Sequence, residues 1–283
     1  MNDNQIKIGL VMKSLRAEFF KEMQQGAECW AASQGNIQLL SVGTDTQTEI
    51  DRQCQLVDEL IDKGVDALLV VPIDSRALVP SVIRAVKAGI TVANIDIKLD
   101  EELLQEEGIT IPFIGPDNQG AAAKVGEVLA SQLQKGDAVA IIEGLRVADN
   151  CQKRTAGFRS VIEQYSLQLV ASEAADWETD KAEQTFVPIL KANRSLKGVF
   201  CGNDAMALGV IKYLKVLGLD GKIKVVGFDN DAASAPLLKD GSLLATIDAF
   251  GSQMAVEGMK CILKIMQGEK PQALYDSPYV LIK

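Results

Sequence analysis

The sequence predicts an α/β protein with two doubly wound, Rossmann-like lobes, each built around a parallel β-sheet. Three observations support this fold class. Apolar residues alternate between strand spacing and helical spacing from residue 6 onward. The alternation then occurs a second time over a similar length, beginning at residue 138. The chain has 283 residues, of which 47% are hydrophobic, and this is enough to fill two cores.

The first series of elements predicts a βαβαβαβ unit. Strand patterns occupy residues 6–12, 37–43, 67–72 and 91–96, and helical patterns begin near residues 18, 48 and 76. The first two helices each carry one apolar face, which we interpret as core. These faces are formed by Phe20, Met23, Ala27, Trp30 and Ala31 in the first helix and by Ile50, Cys54, Val57 and Ile61 in the second.

The second series repeats the alternation. Strand patterns at 138–144, 167–174, 198–202 and 223–228 enclose helical patterns near 150–164, near 180–192 and after 203. Asp204 stands at the start of the last of these helices, where we expect its carboxylate to cap the free N–H groups. Asn203 then has no local role, although it lies at the carboxyl end of a core strand, where open parallel sheets bind their ligands. Asn203 is therefore a candidate ligand residue.

Three segments predict crossings between the two lobes. Pro116 and Asp117 break a strand before another helix, and the segments 249–251 and 276–278 flank a late helical pattern. The predicted N-terminal lobe comprises residues 1–115 and 250–276, and the C-terminal lobe comprises residues 116–249 and 277–283. Three crossings form a hinge, and we expect a ligand cleft between the lobes.

Charge and hydropathy exclude several classes of function. The 38 acidic residues exceed the 29 basic ones and give a formal net charge of −9, which opposes nucleic-acid binding. The longest apolar stretches, such as residues 66–72, have the length of a strand, so we expect no transmembrane helix. Residues 1–12 lack a positive region followed by a hydrophobic one. We expect no signal peptide in this chain, so the protein is either cytoplasmic or has lost a leader.

The cysteine and histidine content argues against metal and disulfide chemistry. The five cysteines are odd in number and scattered, with no C-x-x-C pair. We interpret Cys29, Cys54, Cys201 and Cys261 as small core residues, because they fall within helical or strand patterns. The chain contains no histidine, which removes Ser-His-Asp and Cys-His mechanisms and most zinc sites. We therefore expect no metal, no disulfide and no cofactor.

Polar and aromatic side chains follow the strand ends of both series. They are Lys13, Ser14, Arg16, Phe19, Phe20, Asp96 and Lys98 in the first half, and Glu143, Arg154, Asp176, Trp177, Asn203, Asp229, Asn230, Asp231 and Asp248 in the second. Singly, each fits a turn, a helix cap or a solvated helix surface. Together they suit a polyhydroxylated ligand, because planar groups pair with neighbouring hydroxyls while exposed rings, Phe20 and Trp177, cover C–H faces. We expect Trp30, in contrast, to be buried.

A catalytic alternative rests on two carboxylates. Asp96 and Asp229 could form an acid/base pair of the kind used in glycoside hydrolysis. Lys13 and Arg154 nearby would keep both carboxylates ionised, which favours binding over proton transfer. The strand-to-helix turns also contain neither G-x-G-x-x-G nor a phosphate-binding loop, so a nucleotide lacks its usual cradle. We expect no enzymatic activity.

Seven motifs in order carry a resemblance to a known family. They are LVMKSLRAEFF (10–20), NIDIK (94–98), AIIEG (140–144), AADW (174–177), CGNDAMALG (201–209), VVGFD (225–229) and LLATI (243–247). Across essentially the whole chain, the sequence resembles the sugar-binding proteins of ABC transporters, of periplasmic binding protein type I. It is most similar to the D-allose-binding type, and the ribose-binding type is somewhat less similar. The resemblance implies two lobes that close on a pyranose or a related polyol.

The resemblance also implies a set of ligand residues. Carried over by motif, this set is Lys13, Phe19, Phe20, Asp96, Arg154, Trp177, Asn203 and Asp229. Ala17 stands where such proteins usually have Asn, and Ala249 stands where they usually have Gln. A site built around those amides would leave hydroxyls of allose unpaired here. Asp248, Arg16 or Phe250 is then expected to reshape the site for another hexose, a ketose such as allulose, or an acyclic sugar alcohol.

These observations predict an extracytoplasmic solute-binding protein that captures a monosaccharide or sugar alcohol by hinge closure. Its expected partners are the sugar, an ABC permease and, as an open alternative, a chemoreceptor. We expect a monomer, periplasmic or secreted, whose leader has been removed. The alternative function is the effector-binding core of a LacI-like repressor. The chain starts on its first strand without a helix-turn-helix or a basic arm, which argues against the repressor.

Overall fold

The computed structural model describes residues 5–283, and contacts divide the chain into two compact units. Unit 1 comprises the chain up to Pro116, together with Val147–Asp149 and Phe250–Ser277. Unit 2 comprises Asp117–Arg146, Asn150–Ala249 and Pro278–Lys283. Both units are mixed α/β with parallel sheets, which confirms the predicted fold class. The predicted ligand cleft stays a prediction.

Strands and helices alternate along most of the chain. The strands are β1 (Ile6–Met12), β2 (Ile37–Gly43), β3 (Ala67–Val70), β4 (Thr91–Ile95), β5 (Phe113–Gly115), β6 (Ala138–Glu143), β7 (Gln168–Ala174), β8 (Leu196–Cys201), β9 (Lys224–Val226), β10 (Thr246–Asp248), β11 (Leu274–Asp276) and β12 (Val280–Ile282). The helices are α1 (Glu18–Gln34), α2 (Ile50–Asp62), α3 (Val79–Lys87), α4 (Glu101–Glu106), α5 (Asn118–Ala130), α6 (Asp149–Gln164), α7 (Thr179–Ala192), α8 (Asp204–Val216), α9 (Ala235–Lys239) and α10 (Gly251–Met266). A 3-10 turn over Ala232–Ser234 precedes α9.

Unit 1 is built on a six-stranded parallel sheet. Its strand order is β11-β5-β4-β3-β1-β2. The central strands β1, β3 and β4 are buried along most of their length, as expected when helices cover both faces of a parallel sheet. The carboxyl ends of β1 and β4 therefore lie at the same edge of the sheet, and the candidate residues Lys13 and Asp96 follow these ends.

Unit 2 contains a four-stranded parallel sheet in the order β7-β6-β8-β9, with β10 and β12 as an antiparallel pair. Strand β6 and the glycine-containing β8 are the buried centre of this sheet. Phe158, Phe186, Phe200 and Phe228 are fully buried and fill the unit's core. The carboxyl edge of this sheet presents Glu143, Gly202-Asn203 and the turn after β9.

Several local expectations were wrong. The buried stripe of α2 is Gln53, Leu56, Val57 and Leu60 rather than the predicted stripe, since the helix is rotated by about one residue relative to that prediction. On α1, Trp30 was expected to be buried but is only half-buried, whereas Phe19 belongs to the buried face. Cys29 is exposed rather than core, because it lies on the side of α1 opposite the buried Ala27 and Ala31.

No helix within residues 5–283 combines the length and apolar character needed to cross a membrane.

Candidate functional site

Arg154 is the centre of the polar cluster in unit 2. The side chain lies on α6 and is 3% exposed. Its Nε donates to Asn118 Oδ1 at 2.8 Å, while Nη1 donates to the Gly202 carbonyl oxygen at 2.8 Å and to Asp229 Oδ1 at 3.1 Å. A buried charge needs such partners, because it has lost its hydration. The alternative interpretation of Arg154 as a solvated helix residue is therefore wrong.

Two aromatic rings lie beside the guanidinium of Arg154. The Cζ atom is 3.5 Å from the ring centroid of Phe228 and 5.6 Å from the ring of Trp177. Cation–π attraction is strongest where water is excluded, and both rings are buried. The guanidinium is thus fixed by hydrogen bonds in its plane and by a ring against its face.

Trp177 packs on the backbone of Gly144 and lies close to that of Gly202. A Cβ atom at position 144 would overlap the indole, and one at position 202 would meet its Cζ3 at 3.2 Å. Gly144 and Gly202 follow the ends of β6 and β8; the ring requires glycine at 144, and glycine at 202 eases its close approach. Trp177 is 2% exposed and Phe20 is also buried. The expectation that these two rings are exposed is wrong, because each packs closely against its own unit.

Asn203 and Asp204 exchange the local roles that the sequence predicted. Asn203 is the N-cap of α8, and its Oδ1 accepts a hydrogen bond from the backbone N–H of Met206 at 3.0 Å. Asp204 is the first helical residue and caps nothing; its carboxylate accepts from Thr246 Oγ1 at 2.8 Å and from the backbone N–H of Asp231 at 3.1 Å. The prediction that Asp204 caps the helix is wrong. A ligand role for Asn203 stays a prediction, since the amide Nδ2 is not used by the cap.

Asp204 fastens the turn that carries Asp229. Its carboxyl is fully buried, and Gly227 makes room for it, since a Cβ there would overlap Oδ1. Burial raises the pKa of Asp204 to about 7, and the neighbouring charge of Asp229 adds to the rise. The hydrogen bonds from Thr246, Asp231 and Ser234 oppose it. The Asp204 carboxyl thus links α8, on which it lies, to β10 through Thr246 and to the turn after β9 through Asp231.

Asp248 belongs to the same edge of unit 2. The Asp248 Oδ2 atom accepts a hydrogen bond from Asn230 Nδ2 at 3.1 Å, and the backbone N–H of Asp229 donates to the Ile247 carbonyl oxygen at 2.7 Å. The end of β10 therefore holds the turn that contains Asp229 and Asn230. Unit 2 thus brings together Arg154, Trp177, Asp229 and Asp248, with Asn203 next to Gly202.

Lys13, Phe19 and Phe20 form a second group, in unit 1. Lys13 follows β1, is 3% exposed, and has its Nζ 5.2 Å from the Phe20 ring centroid. Phe19 and Phe20 meet edge to face with centroids 5.2 Å apart. The turn before α1 is ordered by Ser14, whose Oγ accepts from the backbone N–H groups of Arg16 and Ala17. Arg16 itself points to solvent and pairs with Asp45.

Two buried amides shape the strand ends of unit 1. Gln53 Nε2 donates to the carbonyl oxygens of Met12 and Val71, and its Oε1 accepts from the Ile73 N–H. Asn94 Nδ2 donates to the Ile97 carbonyl oxygen at 2.8 Å, and its Oδ1 accepts from the Leu99 N–H. Together they satisfy the backbone where β1, β3 and β4 end, which fixes the turns that carry Lys13 and Asp96.

Backbone strain is concentrated near the predicted site residues. Within residues 5–283, seven non-glycine residues have positive φ, and six of them follow strand ends or crossings singled out above. These six are Asp96, Asp176, Trp177, Asp229, Asn230 and Phe250. Such conformations cost about 1–3 kcal/mol each and persist where the surroundings require them, typically at functional sites.

The sequence did not reveal several residues that build these groups. Asn118 and Phe228 hold Arg154, and Gln53 and Asn94 order the turns of unit 1. Phe228 stands in the VVGFD motif, and Asn118 opens a helix after Asp117, so both had a local signal. Gln53 had none, because it lies at a helical position expected to face solvent.

Comparison with known families identifies the chain. The model of the periplasmic binding protein domain matches residues 8–270. The chain belongs to the periplasmic binding protein family. The family identification confirms the predicted resemblance over most of the chain.

Individual relatives align over nearly the whole chain. A D-ribose/D-allose-binding protein from Pseudomonas aeruginosa is 42% identical over 94% of this chain and 84% of its own length. A solved ABC transporter solute-binding protein from Burkholderia multivorans, with an unknown ligand represented as α-D-erythrofuranose, is 39% identical with a TM-score of 0.95, covering 99% of both chains. A periplasmic solute-binding protein from Actinobacillus succinogenes with bound D-allose is 32% identical, with a TM-score of 0.92 and coverage of 98% and 97%.

Proposed function

We propose that this chain is a solute-binding protein that captures a monosaccharide such as D-ribose, D-allose or a related sugar. The observation that carries this function is the Asp229–Arg154 pair. Both side chains are almost fully buried, and the guanidinium is anchored to Asn118 Oδ1 and to the Gly202 carbonyl oxygen. A carboxylate held in one orientation by such a cation is suited to accept hydrogen bonds from neighbouring sugar hydroxyls.

The names of the relatives support the same ligand class. The Pseudomonas relative is named for D-ribose and D-allose, and the Actinobacillus structure holds D-allose. Ala17 and Ala249 remain the two positions at which we expect this chain to differ from such proteins in its hydroxyl contacts. We therefore place D-ribose and D-allose first among the sugars to be tested and keep ketoses and sugar alcohols as alternatives.

The proposal includes a mechanism and a partner. We propose that Lys13, Phe19, Phe20 and Asp96 of unit 1 and Arg154, Trp177, Asn203, Asp229 and Asp248 of unit 2 bind one sugar, so that its binding favours closure of the hinge. The chain would then deliver the sugar to an ABC permease from the periplasm or cell exterior. It would bind the sugar without converting it, as expected for a solute-binding protein.

A thermal-shift screen tests the proposed ligand class. A ligand present at 100 times its Kd stabilises the folded state by about 2.7 kcal/mol, which for a chain of this length raises Tm by about 5 °C. We expect such a rise with at least one of D-ribose, D-allose, D-allulose and xylitol, and at the same sugar concentration a rise of about half that size or less with Asp229→Asn. If no sugar at 10 mM (about 10⁴ times a micromolar Kd) shifts Tm, the proposed function is wrong.

A further inference from the structure

Asn150 has a buried side chain whose amide oxygen accepts no hydrogen bond from the part of the chain that the structure describes. The residue lies in the first turn of α6 and is 3% exposed. Within residues 5–283, its Oδ1 has no hydrogen-bond partner. Buried carbonyl oxygens of side chains almost always accept a hydrogen bond, because an unpaired one has lost its hydration without compensation. The Asn150 Oδ1 atom is therefore suited to accept a hydrogen bond from a bound molecule.

The position of Asn150 relates it to the cluster around Arg154. Residues four apart on a helix lie on the same face, so Asn150 stands one turn before Arg154 and shares its side of α6. Helix α6 follows β6, so its first turn lies at the carboxyl edge of the sheet in unit 2. Gly202, Asn203 and Asp229 follow the neighbouring strands at this same edge. A molecule bound to Asp229 there would have Asn150 among its neighbours.

Three other polar atoms at this edge have protein partners. Asn203 Oδ1 accepts from the Met206 N–H, and Asp229 Oδ1 accepts from Arg154. The Gly202 carbonyl oxygen also accepts from Arg154. Asn150 Oδ1 differs from these three atoms because none of residues 5–283 donates a hydrogen bond to it. It is suited to accept a hydrogen bond from a hydroxyl.

We propose that Asn150 binds a hydroxyl group of the monosaccharide and is a specificity-determining residue. This inference rests on the proposed function. The amide oxygen accepts the hydroxyl proton, and a sugar that lacks this hydroxyl leaves the buried oxygen unpaired. Asn150 would supply an amide contact to a site in which Ala17 and Ala249 provide none. This role was not predicted from the sequence, because Asn150 has the position and residue type of an ordinary helix start.

The test combines Asn150→Ala with sugars that lack one hydroxyl. We expect Asn150→Ala to weaken the binding of D-ribose or D-allose by about 10- to 100-fold, measured by calorimetric titration. We then compare each monodeoxy form of the sugar with the complete sugar. One monodeoxy form should bind the wild type more weakly than the complete sugar does, whereas Asn150→Ala should bind the two with equal affinity. That non-additivity identifies the hydroxyl that Asn150 contacts. Asn150→Asp retains the acceptor and should keep most of the affinity.

Stability measurements separate this role from a structural one. Because Oδ1 has no partner among residues 5–283, removing the amide should leave the urea midpoint of the sugar-free protein unchanged or higher. Asn193→Ala serves as the matched control: it removes a half-buried amide of the same unit, at the end of α7, and should leave sugar affinity unchanged.

Three results would overturn the inference. If wild type binds the sugar and Asn150→Ala binds it within twofold, with no coupling to any deoxy position, then Asn150 holds an ordered water only and the proposed function still stands. If Asn150→Ala lowers the urea midpoint without changing affinity, Asn150 is structural. If the wild type binds no sugar at all, the proposed function fails, and the inference fails with it.

Discussion

The buried carboxyl of Asp204 should make the stability of this protein depend on pH in a range where few of its other groups titrate. Burial, together with the charge of Asp229, raises the pKa of Asp204 to about 7 in the folded chain, against 3.8 for an unperturbed carboxyl. The folded state therefore holds a proton that the unfolded state releases. The resulting stabilisation is full below pH 3.8 and is lost as the pH rises through 7.

The size of the effect follows from the two pKa values. At pH 5 the raised pKa contributes about 3 kcal/mol, and at pH 8 its contribution is close to zero. The wild type should thus lose between 2 and 3 kcal/mol from pH 5 to pH 8, or about 4 °C in Tm. The chain contains no histidine, so the usual source of titration in this range is missing and the contribution of Asp204 stands out.

The assay is thermal unfolding of the sugar-free protein at pH 5, 6, 7 and 8, for wild type and Asp204→Asn. The amide mimics the protonated carboxyl: it can accept from the Asp231 N–H and donate to Thr246 Oγ1, so its Tm should stay level across the range. Asp240→Asn is the matched control, because the pKa of Asp240 is lowered to about 2 and the group is ionised throughout. Equal pH slopes in wild type and Asp204→Asn would refute the reasoning.

Substitutions at three further positions test the packing and capping of unit 2. Arg154→Met should destabilise the protein by about 3–5 kcal/mol in urea denaturation, because it leaves Asp229 buried without its cation; a loss below about 1 kcal/mol would contradict the buried pair. Asn203→Ala should cost about 1 kcal/mol through loss of the cap, whereas Asn203→Asp should keep stability and still weaken sugar binding, since it lacks the amide donor; equal stability of both variants would argue against the cap. Gly144→Ala should displace the Trp177 indole and shift tryptophan emission to the red, also in a Trp30→Phe background; unchanged emission would show that the ring does not pack on Gly144.

The alternation of strands and helices could be predicted from the sequence because the strands are continuous apolar runs. The bounds of β1 and β2 agree with the predicted 6–12 and 37–43, since polar residues and glycine end both runs sharply. The short elements α4, α9 and β11 escaped prediction. Five or six residues span too few turns for a helical period to be recognised, and β11 is held by its pairing with distant β5.

The roles of individual site residues depended on contacts that sequence patterns do not contain. Asn203 and Asp204 are both good capping residues, so local rules could not choose between them. The choice is made by Gly227 and Thr246, which lie more than 20 residues away and create a buried place for the Asp204 carboxyl. Arg154 likewise reaches Asn118, Gly202 and Asp229, which are 36, 48 and 75 residues distant.

Calorimetric titration of D-ribose and D-allose into the wild type and into Asp229→Asn tests sugar binding at the Asp229–Arg154 pair most directly. We expect the wild type to bind at least one of them with a Kd of about 1 μM, or about −8 kcal/mol. Asp229→Asn should bind at least 10-fold more weakly, because it replaces a charge-assisted hydrogen bond with a neutral one. Absence of binding heat with both sugars, or equal affinity in wild type and variant, would contradict the assignment of this pair as the centre of a sugar site.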